Sequence, residues 1–185
     1  MADRTARDRL MAIIRRKSFR NDREFTLASG AKSMLYFNMK PSMFDAEGAA
    51  LIAAAVLERT GDADYVAGLD MGAGPIVAQL VLLAGLKGKP LAGFFVRKTP
   101  KAHGTQALID GLAEGETLAG KHVLVLEDVT TSGGSAIKAV ETIRAAGARV
   151  ERVLTIIDRQ EGAAAAMRQA GLKLEPLLTA ADFTA

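Results

Sequence analysis

A chain of 185 residues, 49% apolar and 24% charged, is long enough for one domain with its own core and lacks the composition of a disordered or coiled-coil protein. It contains no cysteine, which excludes disulfides, thiolate metal sites and cysteine nucleophiles and suits a reducing cytoplasm. The net charge of +3, with its basic excess gathered in the first twenty residues and mixed there with Asp3 and Asp8, falls short of the dense basic stripe of a nucleic-acid binder.

Residues 3 to 17 read as a helix, with Leu10, Ile13 and Ile14 as a narrow apolar stripe among arginines. Gly30, Asn38 and Pro41 punctuate the next segment, so the apolar stretch Met34 to Phe37 reads as short strands or a hairpin. Asp45 to Arg59 reads as a helix stopped by Gly61. Strand and helix then alternate. Tyr65 to Leu69 is a strand, followed by a glycine-rich turn and a helix from about Pro75 to Leu86. Leu91 to Val96 is a second strand, followed by a long polar loop. Val123 to Leu126, without a polar residue, is a third strand, of the kind covered on both faces in parallel sheets. A helix from Ser135 to Ala146, a strand from Val150 to Ile157 and a helical piece at Ala163 to Ala166 complete the pattern. The alternation predicts an α/β fold, a central parallel sheet flanked by helices on both faces.

The longest apolar stretch, Gly72 to Leu86, is shorter than the ~20 residues of a membrane span, and no apolar core follows the basic N-terminus. Neither a membrane segment nor a secretory signal is expected, and the location expected is cytoplasmic.

In such folds ligands bind at the carboxyl ends of the strands. The loops Asp70 to Gly74, Arg97 to His103 and Glu127 to Ser135, together with Asp158 and Arg159, all fall there and define a candidate site. The third of them carries the strongest signal. An apolar strand ends in Glu127 and Asp128; after Val129 come Thr130, Thr131, Ser132, Gly133, Gly134 and Ser135, and then a helix. Unsatisfied amides at a helix N-terminus, the helix dipole, flexible glycines and four hydroxyls make an anion pocket. Two carboxylates beside a phosphate are at odds with it unless the ligand also presents hydroxyls or carries Mg²⁺, as a ribose 5-phosphate can. The lysine of a Walker loop and the three-glycine dinucleotide fingerprint are both missing. The loop Phe94 to Gly111 offers Arg97, Lys98, Lys101 and His103 within seven residues, cations suited to a departing pyrophosphate.

Two acids followed by a small-residue phosphate loop resemble the 5-phosphoribosyl-1-pyrophosphate (PRPP) motif of type I phosphoribosyltransferases. Within that group the chain resembles the orotate phosphoribosyltransferases. Their R-K-x-x-K-x-H-G loop is matched by Arg97, Lys98, Lys101, His103 and Gly104, and their F-x-L-x-S-G-x-x-S pattern by Phe25, Leu27, Ser29, Gly30 and Ser33. Their D-R-Q-E is matched by Asp158 to Glu161. The resemblance implies a single domain spanning residues 1–185, with a small hood over the base site built from about 20–40 and the C-terminal end near Leu177 to Phe183.

It also implies roles. Glu127 and Asp128 would hold the ribose hydroxyls, and Thr130 to Ser135 the 5-phosphate, with Val129 also in the PRPP site. Arg97, Lys98, Lys101 and His103 would engage pyrophosphate, while Thr131 and Arg159 would contact orotate, Arg159 through its carboxylate. Lys101, His103 and Asp128 would be the catalytic groups. Mg²⁺ would arrive on PRPP rather than on protein ligands. A homodimer is implied, with Lys98, Lys101 and His103 acting on the neighbouring subunit's site.

Two family lysines are missing, at Ala28 and at Gly72 in the turn after the first strand; Lys32 is open to a ligand contact or to the surface. A phosphoribosyltransferase for another base, or a regulator that senses PRPP without catalysis, shares the cradle. The first has no use for Arg159, and the second leaves little of 185 residues for an output surface.

Overall fold

The computed structural model describes residues 2–26, 32–99 and 108–184. The chain opens with α1 (Ala2–Lys17), which sends Leu10, Ile13 and Ile14 into the core. Four two-residue strands follow: β1 (Phe19–Arg20), β2 (Phe25–Thr26), β3 (Lys32–Ser33) and β4 (Tyr36–Phe37). They nest as two antiparallel pairs, β1 with β4 and β2 with β3. A single turn, α2 (Lys40–Met43), leads to α3 (Ala46–Leu57), whose N-cap Asp45 accepts from the Gly48 amide at 3.0 Å. Lys17 bonds the second oxygen of Asp45 at 2.6 Å, and together these donors hold its carboxyl below the usual range.

The sheet and its helices follow in alternation: β5 (Tyr65–Leu69), α4 (Gly74–Leu86), β6 (Ala92–Val96), β7 (Ile109–Asp110), β8 (Val123–Thr130), α5 (Gly134–Ala145), β9 (Arg152–Asp158), α6 (Ala163–Gln169), β10 (Lys173–Thr179) and α7 (Ala181–Thr184). Six strands lie in the order β10-β9-β8-β5-β6-β7, and only β7 runs antiparallel to its neighbour. Side chains alternate along β8. Leu124 and Leu126 join an apolar layer with α1 to α4, while Val123 and Val125 join a second layer with α5 and α6. Each such buried side chain stabilises the fold by ~1.5–3 kcal/mol relative to exposure, so two layers on one sheet make a core of ordinary strength.

Three elements differ from their sequence expectation. The third strand does not stop at Leu126. Its pairing with β5 ends there, but β9 continues as partner through Thr130↔Asp158, so Glu127 and Asp128 lie inside the strand. The polar loop after β6 returns as β7, which pairs Phe95↔Asp110 and Val96↔Ile109. Leu177 to Thr179, expected near the hood, belong to β10 at the sheet edge. Pro176 is accommodated there because an edge strand need not use every amide.

The last helix does meet the N-terminal segment. The Phe183 ring lies 5.5 Å from Phe19 and 5.3 Å from Phe37, Asp182 pairs with Arg7 at 2.8 Å, and Arg15 donates to the carbonyls of Asp182 and Phe183. Among the described residues no helix is long and apolar enough to cross a membrane.

Candidate active site

Parallel strands share one direction, so the carboxyl ends of β5, β6, β8, β9 and β10 meet on one edge. A cavity of about 590 Å³ opens there, lined by Lys98, by Glu127 through Ala136, and by Lys138. Every cradle residue expected from sequence, Val129 to Ser135, lines it.

The cradle is shaped by the start of α5. Its N-cap, Gly133, has φ 82°, in the left-handed region, and no side chain caps the helix. A Cβ at Gly133 would also press on Met167 Cε at 3.3 Å and Ala163 Cα at 3.5 Å. The residue is therefore glycine for two reasons, backbone and space. The open amide end of a twelve-residue helix faces the ring of Thr131, Ser132 and Ser135, an arrangement that favours phosphate. Thr130 ends β8 with its hydroxyl buried and unpartnered among the described residues.

Glu127 and Asp128 form the acidic floor. Burial raises the Glu127 carboxyl to about 8, the neighbouring Asp128 adds to the rise, and Lys98 opposes it. Its Oε2 is sealed from solvent without a hydrogen-bond partner among the described residues. Burial raises Asp128 as well, against the pull of the Val129 amide, its own amide, Lys40 and Lys98. A buried carboxylate without donors marks a group built to receive them from a ligand. The turn after β5 closes over Asp128: a Cβ on Gly72 would lie 3.1 Å from its Oδ1, a tight approach that glycine eases. Met71, just before, is held at φ 67°, strain of the kind that collects at ligand sites.

Arg159 leaves the end of β9 with its amide bonded to the Thr130 carbonyl at 2.9 Å. Its side chain is 3% exposed, and Nη2 donates to Ser33 Oγ at 2.9 Å and to Glu161 Oε1 at 2.6 Å. The β2–β3 pair is thereby tied to the sheet edge beside the cradle. Lys32 faces away and pairs with Glu24 at 2.7 Å on the surface.

Lys98 and Arg97 diverge. Lys98 borders both the acid-lined cavity and an adjoining one of about 390 Å³, whereas Arg97 lines only the second and pairs with Asp110 at 2.9 Å. Lys101 and His103 lie outside the described residues, as do Leu27, Ala28, Ser29, Gly30 and Gly104. Sequence reasoning missed Lys40 and Lys138, two cations that border the site from α2 and α5. No motif flags either; Lys40 comes from a distant element, and Lys138 follows the cradle one turn into α5.

A parallel sheet whose longest inner strand carries an acid pair into a hydroxyl-ringed helix N-terminus is the arrangement of a type I phosphoribosyltransferase, and this chain belongs to that family. The family of the phosphoribosyl transferase domain matches residues 42–168. Within it the chain belongs with the orotate phosphoribosyltransferases. It is 52% identical over 185 residues to the orotate phosphoribosyltransferase of Bradyrhizobium sp. strain ORS 278, covering 99% of this chain and 100% of that relative. Among solved structures it resembles the orotate phosphoribosyltransferase of Mycobacterium tuberculosis H37Rv. The complex with Fe(III) dicitrate gives a TM-score of 0.80 at 35% identity, and the complex with PRPP gives 0.77 at 32%; both cover 97% of this chain and 99% of the other.

Proposed function

We propose that the chain transfers the 5-phosphoribosyl group of PRPP to N1 of orotate, giving orotidine 5′-phosphate and pyrophosphate in pyrimidine nucleotide synthesis. The observation that carries this reading is the meeting, at one sheet edge, of an acid pair, a phosphate cradle and a buried arginine.

Each group has a task set by its chemistry. The amide end of α5 with Thr130 to Ser135 takes the 5-phosphate. Glu127 and Asp128 accept from the ribose hydroxyls, which supply the donors that Glu127 Oε2 lacks among the described residues. Arg159 takes the orotate carboxylate, as its planar fork suits, and Thr131 borders the base. Lys98, with Lys101 and His103 further along the sequence, would neutralise the pyrophosphate, while Arg97 pairs with Asp110.

As the bond from N1 to C1′ forms, the bond from C1′ to the pyrophosphate oxygen breaks and pyrophosphate leaves with the electron pair. N1 gives up its proton to water or to the departing pyrophosphate. Asp128 would stabilise positive charge developing on the ribose, and the loop cations the negative charge developing on the leaving group. Two adjacent carboxylates, one with an orphaned oxygen, suit a divalent ion that arrives on its substrate better than a resident metal. Mg²⁺ bound to PRPP would neutralise pyrophosphate charge there.

The N-terminal strands and α7 would form the hood over the base, with the whole chain one domain. The working form is a homodimer in the cytoplasm, where phosphorylated substrates are retained. Its support is an apolar face on α3 and α4, where Leu82 and Leu86 are 66% and 77% exposed beside Ala49, Ala50 and Ala53.

Purified protein mixed with PRPP and Mg²⁺ should consume orotate but not uracil, adenine or hypoxanthine, lose turnover in EDTA, and sediment at twice the 19.5 kDa chain mass. Turnover of another base instead of orotate would overturn the substrate assignment.

A further inference from the structure

Arg159 holds more information than its place beside the cradle. A guanidinium carries five N–H donors on Nε, Nη1 and Nη2, and it binds a planar carboxylate through two parallel donors on one edge. Both such edges, Nε with Nη2 and Nη1 with Nη2, require Nη2. In this structure Nη2 already donates twice, to Ser33 Oγ at 2.9 Å and to Glu161 Oε1 at 2.6 Å, which uses both its hydrogens. Nε, by contrast, is sealed from solvent and has no partner among the described residues. A carboxylate ligand can therefore form a fork with Arg159 only if one present partner of Nη2 leaves.

The two partners are unequal. Ser33 is a neutral hydroxyl on β3, part of the strand pair that reaches over the sheet edge. Glu161 is a carboxylate on a turn, 41% exposed against 3% for Arg159, so it can return to water at little cost. It is also an anion, which an arriving carboxylate repels at short range.

We propose that Glu161 is a stand-in for the substrate's carboxylate: it occupies Nη2 of Arg159 in the free protein and yields that position to the carboxylate of the base, which then takes Nη2 together with a neighbouring nitrogen of the guanidinium. The inference rests on the assignment of Arg159 to the orotate carboxylate. It gives the site a second layer of selectivity. A pyrimidine without a carboxylate leaves Glu161 in place and gains nothing from Arg159, whereas orotate replaces one charge-assisted bond with two.

The test is the Glu161→Gln variant, which keeps an oxygen acceptor on Nη2 while removing the competing charge. KM for orotate at saturating PRPP, KM for PRPP at saturating orotate, and kcat are measured together, so that ground-state binding separates from the chemical step. Removing one anion at contact distance should lower the orotate KM about fivefold and leave the PRPP KM within about twofold. An unchanged or raised orotate KM overturns the displacement. Arg159→Gln runs beside it and should raise the orotate KM at least about thirtyfold, as expected for removing a buried charge from its partner. If that rise occurs while Glu161→Gln shows no gain, Arg159 binds the carboxylate and displacement is wrong. If Arg159→Gln leaves the orotate KM unchanged, the assignment of Arg159 itself falls.

Discussion

Glu127 shows what a binding site costs its host. A carboxyl with a pKa of 4.5 in the open chain and about 8 in the fold keeps its proton on folding between those limits, so the folded form binds more protons there. Its favourable contribution is complete below pH 4.5 and is lost as pH rises to about 8, where a buried negative charge must be carried beside Asp128. Glu127→Gln removes that charge. The variant should match the parent near pH 5 and melt higher at pH 9, by about 5 °C if ~2 kcal/mol is recovered, while losing PRPP turnover. Equal melting at both pH values would mean that Glu127 is not desolvated in the free protein.

The acids themselves were legible in sequence, since two carboxylates and four hydroxyls around a glycine pair have few other uses. Their setting was not. Charged residues look like the end of a strand, and only the neighbouring β9 keeps them inside it. Lys40 was hidden, since its charge reaches Asp128 from a distant element, and Ser33, though part of the matched pattern, gave no sign that it would bond Arg159.

Among elements, the junction of β8 and α5 decides how the cradle is built. Alanine at Gly133 must hold φ near 82° and press its methyl toward Met167 and Ala163. Gly133→Ala should cost about 1–2 kcal/mol, or roughly 2–8 °C in melting temperature, and should raise the KM for PRPP while sparing that for orotate. A change in the orotate KM alone would place the cradle elsewhere. Sequence periodicity found β5 to the residue, because five consecutive buried positions follow the apolar run Tyr65 to Leu69. It found α3 and α4 to within two residues at their ends, where caps and glycines give the boundary. It missed β7, whose two residues carry no pattern of their own and are a strand only because β6 lies beside them. It also missed β10, where Pro176 and alternating charges disguise an edge strand.

At the scale of the whole molecule, the α/β layering followed from alternation alone, whereas the meeting of the two chain ends was implied only by the family resemblance. Phe19, Phe37 and Phe183 form one aromatic cluster, and Arg7 and Arg15 reach the last helix. No local signal relates residues so far apart, and burial of rings on a shared surface brings them together.

The Ser33–Arg159 bond has a kinetic consequence. It joins positions 126 residues apart and depends on β3, β8 and β9 all being in place. Helices and hairpins form in microseconds, while contacts of such sequence separation must wait for the entropy of closing a long loop to be met by the sheet. Refolding followed by circular dichroism should therefore run ahead of refolding followed by orotate turnover, and the interval between the two curves would time the closing of the base site.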